Sequence, residues 1–207
     1  MMSASLARRL AKRLLAPLAW RETYRCLRLP WHERATATAS AAFDVRVLDR
    51  SDLARYSQES AYGISPRFLD GIAARDDLCV AAFSGSELVS YRFFAAQPTD
   101  IDAHLRFHFP PGWIYAYKAF THPSWRGRRL HRELFLRSMS EVEPWQRGSR
   151  EPLGFVTLVL SDNESSAKAL ARVGFGPFTS FTVLRVLSRP RLVAPEDGAM
   201  EFRITLQ

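Results

Sequence analysis

Ten residues, His122-Pro123-Ser124-Trp125-Arg126-Gly127-Arg128-Arg129-Leu130-His131, turn a strand-like aromatic run, Trp113–Thr121, into a helix-like one. A chain that leaves a strand and starts a helix so quickly aims backbone N–H groups at one spot, and the helix dipole adds positive potential there. Such a turn can seat a pyrophosphate. Arg126, Arg128 and Arg129 add guanidinium groups suited to charge-assisted contacts with phosphate oxygens. A basic turn that merely caps a helix has the same spacing, so the motif alone leaves both readings open. Other reactive residue types carry less. His104 and His108 lie four apart with no third ligand in reach of the pattern, so no metal site is expected. Cys79 sits inside an apolar run and reads as a small core residue. Cys26 lies in a basic segment with nothing to activate it.

A second stretch, Asp162-Asn163-Glu164-Ser165-Ser166 through Arg172-Val173-Gly174-Phe175, directly follows the apolar run Gly154–Leu160. Together the two stretches resemble the GNAT superfamily of acyl-CoA N-acyltransferases. The first is similar to its pyrophosphate loop, V-x-P-x-[YW]-R-G-x-G-x-[GA], matched by Thr121, Pro123, Trp125, Arg126 and Gly127. The second is similar to its N-x-x-[AS]…G-F signature, matched by Asn163, Ser166, Gly174 and Phe175. The resemblance covers Phe43 to Leu187. It departs at Arg129 and His131, where the family has small residues that let the backbone approach the ligand. It departs again at Leu170, where many relatives carry a tyrosine that protonates the leaving thiolate.

The resemblance implies direct transfer of an acetyl or other acyl group to an amine, with acyl-CoA as co-substrate and no permanently bound cofactor. It places the thioester in a splay between the strand ending at Thr121 and Gly154–Leu160. Backbone N–H groups near Phe120 and Thr121 would polarise the carbonyl, and Ala119 beside them would contact the co-substrate. Arg126, Gly127, Arg128, Arg129, Leu130 and His131 would hold the pyrophosphate, and Asn163 with Ser166 would meet the pantetheine arm. The attacking amine must lose a proton. Relatives often supply a glutamate from the central strand, but Trp113–Ala119 has no carboxylate. Tyr117, Tyr91, His122 and His131, acting with water, are the candidates; plain aromatic packing accounts equally for the tyrosines. The acceptor pocket would lie along 52–75 and 97–112. Arg67, Arg75, Arg92 and Arg106 could read an anionic acceptor there or be solvated charge. Phe93, Phe94, Phe120 and Phe155 could wall a short acyl pocket or floor a long one.

The elements that must position these residues follow from periodicity and punctuation. Strands are expected at Phe43–Leu48, Leu78–Phe83, Glu87–Ala96, Trp113–Thr121, Gly154–Leu160, Phe178–Leu187 and Phe202–Leu206. Ser84-Gly85-Ser86 reads as a hairpin turn. Helices are expected over 52–61, capped by Asp49 or Ser51, from Ser65-Pro66 to Ala74, over Arg128–Glu141, and over Glu164–Val173, stopped by Gly174. That order is an α/β or α+β sheet protein with helices on its faces. The resemblance narrows it to a mixed, mostly antiparallel central sheet.

Length and composition agree with this class. The chain has 207 residues, 47% apolar and 24% charged, which suits one globular domain with or without an extension. The net charge of +8 gathers in residues 1–34, so a nucleic-acid-binding body is not expected. Residues 5–16, SLARRLAKRLLA, repeat leucine every four positions with basic residues opposite, the pattern of an amphipathic helix. That helix could lie on an anionic membrane surface, act as a transit peptide or dock on protein. The division expected is a basic extension and linker over 1–42 and an acyltransferase domain over 43–207. The expected setting is the cytoplasm, with possible contact to the inner membrane surface. A GNAT-fold module that binds acyl-CoA without catalysis, or serves only as an interaction subunit, is the competing reading.

Overall fold

Leu78–Ser84 (β3) and Glu87–Ala95 (β4) are buried at nearly every position, so both of their faces must be covered. Alternation along each strand then sorts the core into two sides. On β3, Leu78, Val80 and Ala82 join one cluster, while Cys79, Ala81 and Phe83 join another. The computed structural model describes residues 19–34, 43–146, 152–187, 189–195 and 201–207. The amphipathic helix expected over 5–16 and the linker over 35–42 lie outside them.

The main sheet has eight strands in the order β10-β9-β1-β8-β7-β4-β3-β2, formed by Arg189–Pro195 (β10), Gly176–Val186 (β9), Ala19–Pro30 (β1), Gly154–Leu160 (β8), Trp113–Thr121 (β7), β4, β3 and Asp44–Leu48 (β2). Every neighbouring pair is antiparallel except β7 and β8, which run parallel. A small sheet, Arg203–Leu206 (β11), Leu105–His108 (β6) and Thr99–Asp100 (β5), covers part of one face. The mixed, mostly antiparallel sheet flanked by helices is as expected.

Helix boundaries follow their caps. Arg50–Tyr56 (α1) opens at a capping box: the Asp49 side chain accepts from Asp52 N at 2.8 Å, and Asp52 accepts from Asp49 N at 3.3 Å. Pro66–Arg75 (α2) opens at Ser65, which accepts from Phe68 N at 3.2 Å. These two helices lie on one face of β3 and β4. Leu130–Arg137 (α3), Met139–Gln146 (α4) and Glu164–Ala171 (α5) cover the other. The single helix expected over Arg128–Glu141 is thus two, broken at Ser138, whose buried hydroxyl donates to Leu134 O at 2.6 Å. A serine bonding back to the preceding turn bends a helix.

The larger correction is at the N-terminus. Ala19–Pro30, expected within an extension ahead of a domain starting at Phe43, is an interior strand, paired with β8 from Tyr24↔Leu160 to Pro30↔Gly154 and with β9 from Ala19↔Val186 to Arg28↔Gly176. Tyr24 and Cys26 bury into one face, Leu27 and Leu29 into the other. The arginines that disguised this alternation are held along the sheet. Arg25 donates to Ser161 O at 2.9 Å and to Glu164 at 3.0 Å, and Arg28 covers the Phe178 ring. On β9, buried Arg185 donates to Glu22 at 2.7 Å and also bonds Asp102, tying β1 to β9 and to the small sheet's loop.

Two outcomes follow. A fragment starting at Phe43 lacks β1 and leaves β8 and β9 with open edges, so it is expected to show no cooperative thermal transition where the full chain shows one. Gly154 pairs with Pro30 at φ +152°, and a Cβ there would lie 2.5 Å from Leu29 O and 3.0 Å from the Trp113 ring. Gly154→Ala is therefore expected to lower stability by about 3 kcal/mol, read as a shifted urea midpoint at unchanged slope.

Candidate functional site

Strands β7 and β8 pair only from Trp113↔Gly154 to Tyr115↔Val156. Beyond that point β7 stays with β4 as far as Thr121, and β8 stays with β1 as far as Leu160. The two strands are pulled apart by their outer neighbours, and a cavity of about 110 Å³ occupies the gap. Of the residues expected at the site, Tyr117, Ala119, His131 and Ser166 line it, with Leu170 beside them.

A β-bulge shapes the wall. The pairs Phe93↔Tyr117 and Tyr91↔Phe120 leave Arg92 opposite both Lys118 and Ala119, and Lys118 takes φ +45°. The backbone of Lys118 and Ala119 thus falls outside the register on both sides of β7. The expected donors Phe120 and Thr121 are back in register with β4. The Phe120 ring stacks on Tyr91 at 5.1 Å, and Thr121 Oγ1 lies 3.3 Å from Ser90 Oγ. The unpaired stretch of strand is therefore one to two residues earlier than the sequence suggested.

The loop after β7 is a 3₁₀ turn, Pro123–Trp125, leading through Arg126, Gly127, Arg128 and Arg129 into α3. These four residues are solvent-exposed. Arg126 Nε donates to Thr121 O at 3.2 Å, folding the loop onto the strand end, and Arg128 lies over the Trp125 ring. Gly127 (φ +81°) and Arg129 (φ +61°) are both left-handed. That is the physical content of the second glycine in the resembled pattern: a side chain here costs about 1–2 kcal/mol in backbone strain. His122 sits on the loop, with Nδ1 2.7 Å from Ser124 Oγ, and does not line the cavity. Leu130 is buried in the core, so only its backbone serves the helix start. Asn163 caps α5, its Oδ1 accepting from Ser166 N at 3.2 Å and Ser165 Oγ at 3.0 Å.

The proton chemistry divides between the two faces of the sheet. On the α1–α2 face, Tyr117 donates to Asp77 Oδ2 at 2.7 Å, and its ring stacks on Tyr115. Arg75 donates to the same oxygen at 2.6 Å. The Asp77 side chain is 0% exposed and its Oδ1 has no partner. Burial raises the Asp77 carboxyl above its ordinary value, against the opposing pull of Arg75 and Tyr117. Burial and then the Asp77 charge raise the Tyr117 phenol, so it stays protonated. Sequence reasoning missed Asp77: it stands just ahead of β3, not on the central strand, and no local pattern ties it to Tyr117. Tyr91, the other tyrosine considered, is buried and donates to Tyr62 O at 2.5 Å, away from the cavity.

On the α3–α5 face, Arg92 is 2% exposed and lines the cavity. It donates to His131 Nε2 and covers the Phe135 ring at 5.0 Å. Burial pulls the guanidinium down to about 9, still a cation at neutral pH. Burial and then the Arg92 charge hold the His131 imidazole down to about 3, so it is neutral. His131, a candidate to carry the amine's proton, is instead an acceptor held by Arg92. Leu170, on α5, packs in the same core at 3% exposure and brings no hydroxyl. The buried thiols of Cys26 and Cys79 are raised by burial and lie in core clusters. His108 bonds Thr205 Oγ1 at 2.9 Å across the small sheet.

No family model matches the sequence, and no curated protein matches it either. Solved structures match the fold. A GNAT-family acetyltransferase from Colwellia psychrerythraea is 13% identical with a TM-score of 0.53, over 85% of this chain and 60% of that one. A GCN5-related N-acetyltransferase from Kribbella flavida is 12% identical with a TM-score of 0.53, over 94% and 66%. A Drosophila protein is 14% identical with a TM-score of 0.55, over 89% and 58%. The chain thus has the GNAT fold and spans about three fifths to two thirds of the length of these structures.

Because Arg129 is exposed and makes no side-chain cap, relief of its φ is separable from packing. Arg129→Gly is expected to leave the melting temperature unchanged or raise it, the strain relieved offsetting the ~0.4–1 kcal/mol of added chain entropy. Arg129→Val, β-branched in a left-handed position, is expected to lower it.

Proposed function

We propose that the protein is an acyl-CoA-dependent N-acyltransferase acting by direct attack of an amine on the thioester. The observation that carries this reading is the cavity between the parted strands β7 and β8, lined by His131 from the first turn of α3, the helix that the Arg126–Arg129 turn leads into. The naming of two structural neighbours as acetyltransferases agrees with it. The acyl-CoA lies on the α3–α5 face, its pyrophosphate at the turn and the α3 N-terminus, its pantetheine arm past Ser166 in the gap. The bulge at Lys118–Ala119 supplies backbone groups for the carbonyl oxygen, the role expected of Phe120 and Thr121. Asn163 acts by capping α5 and so placing Ser166.

The acceptor amine enters from the α1–α2 face. Its nitrogen attacks the carbonyl carbon, the C–S bond breaks, and CoA leaves as the thiolate. The proton lost from nitrogen passes to the Tyr117 oxygen as Tyr117 gives its own proton to Asp77, so the phenol never carries a charge. A carboxylate lifted by burial is a stronger base than a free one, and Arg75 holds it in place. The domain that performs this starts at β1, since that strand holds β8 open. The basic segment before it is a candidate contact for an anionic membrane surface; no helix among the described residues is long and apolar enough to cross one.

Calorimetric titration of the full chain with acetyl-CoA is expected to show binding that weakens in Arg126→Ala. Thiol release over a panel of amines is expected to fall about 100-fold or more in Asp77→Asn, with acetyl-CoA affinity kept. The pH profile gives the sign. The base must be ionised, so kcat/KM falls as pH drops through the Asp77 value, and that value lies above the ordinary carboxylate range. The acidic limb assigned to Asp77 is expected to vanish in Asp77→Asn. Binding without turnover in any arm would support the competing non-catalytic module, for which the apolar Leu170 and the pinned His131 are the supporting observations.

A further inference from the structure

Arg92 is a buried guanidinium that faces a cavity and meets no carboxylate among the described residues. Its hydrogen-bond partner is His131, an uncharged ring that accepts one of five N–H groups. The residues lining the cavity include Arg92, Lys118 and His131 and no aspartate or glutamate. The contrast with Arg185, the other buried arginine among the described residues, is direct. Arg185 is held by Glu22 and Asp102. A charge removed from water is retained at a cost unless something of opposite sign meets it. Nothing among the described residues does so for Arg92.

The face on which Arg92 lies identifies what the missing partner belongs to. Along β4, Tyr91 and Phe93 point to the α1–α2 face, while Val89 and Phe94 point to the α3–α5 face. Arg92 points with the latter and covers Phe135 of α3. It is therefore turned away from the face assigned to the acceptor amine, and toward the face assigned to the acyl-CoA. Along the strand it stands opposite the bulge at Lys118–Ala119, where the thioester carbonyl is placed, and not at the Arg126–Arg129 turn.

We propose that the donor is the CoA thioester of a dicarboxylic acid, whose free carboxylate enters the cavity between β7 and β8 and is bound by Arg92, with His131 setting the angle of the guanidinium fork. The proposal rests on the acyltransferase reading and deepens it. Two parallel N–H groups of a guanidinium match the two oxygens of a carboxylate, and a neutral acyl chain of equal length leaves them unpaired. The low exposure strengthens the discrimination, because water cannot replace the missing anion. His131 stays neutral beside Arg92 and so adds no charge of its own.

The test compares succinyl-CoA and glutaryl-CoA with acetyl-CoA and butyryl-CoA by calorimetric titration of the full chain, wild type and Arg92→Met. Wild type is expected to bind the dicarboxyl donors at least about tenfold more tightly than butyryl-CoA. Arg92→Met is expected to erase that gap while keeping acetyl-CoA affinity, and to melt no lower than wild type in the absence of ligand, since it removes an uncompensated buried charge. If Arg92→Met does not fold, Arg92→Lys takes its place: it keeps the charge, loses the fork, and is expected to narrow the gap. Equal affinity of wild type for succinyl-CoA and butyryl-CoA overturns the proposal and leaves the acyltransferase reading standing. So does an equal loss of all four donors in Arg92→Met, which would put Arg92 on the pyrophosphate. Failure of wild type to bind any CoA thioester overturns both.

Discussion

Two strands that run side by side and then part set the terms for the rest of this molecule. β7 and β8 share three residue pairs. Each is then committed elsewhere, β7 to β4 and β8 to β1, through ladders of backbone hydrogen bonds that cannot be surrendered without stranding buried polar groups. The gap between them is accordingly a property of the whole sheet. Its width depends on β1, which holds β8 on the other side, and Gly154, in the first of the three pairs, has no side chain to hold β1 off β8 there.

The sheet also separates two kinds of electrostatics that meet at this gap. On the α1–α2 side a carboxylate, an arginine and a phenol form a closed group around one oxygen of Asp77. On the α3–α5 side an arginine faces the cavity with a neutral histidine for company. Arg92 stands one position along β4 from Phe93, the register partner of Tyr117, yet the polar ends of Tyr117 and Arg92 sit on opposite faces. A bulge is a suitable device for this. One extra residue in β7 leaves two backbone units free of the ladder and re-aims the side chains around them.

The departures from the resembled motif have separate physical meanings. Arg129 adopts the left-handed backbone that the motif's glycine would adopt, so the loop's path is kept at the expense of strain. His131 replaces a small residue with a ring, and that ring is absorbed by Arg92 instead of standing in solvent. Leu170 replaces a hydroxyl with core packing. The first conserves geometry, the second gives the buried Arg92 an uncharged acceptor at the gap, and the third removes a proton source that a thiolate leaving group does not require.

Local chemistry made much of this legible in one dimension. The Arg126–Arg129 turn, the caps at Asp49 and Ser65, the Ser84–Ser86 hairpin and the stop at Gly174 all lie within a few residues of what they control, so pattern alone placed them. β1 was hidden because four of its twelve residues are charged, and its apolar alternation shows only once β8 and β9 cover both faces. Asp77 and Tyr117 are forty residues apart and share a hydrogen bond because β3, β4 and β7 stand side by side. Arg92 was visible only as one arginine among several. Its meaning depends on burial and on the absence of an acid within reach among the described residues, and those are sums over neighbours from every part of the chain. Sequence by itself determined the α/β class and the basic strand-to-helix turn after Thr121, since both rest on short-range periodicity and turn chemistry. Tertiary structure alone decided that Ala19–Pro30 joins the sheet, which carboxylate meets the tyrosine and which cation faces the gap, because strand order and burial are set by long-range pairing.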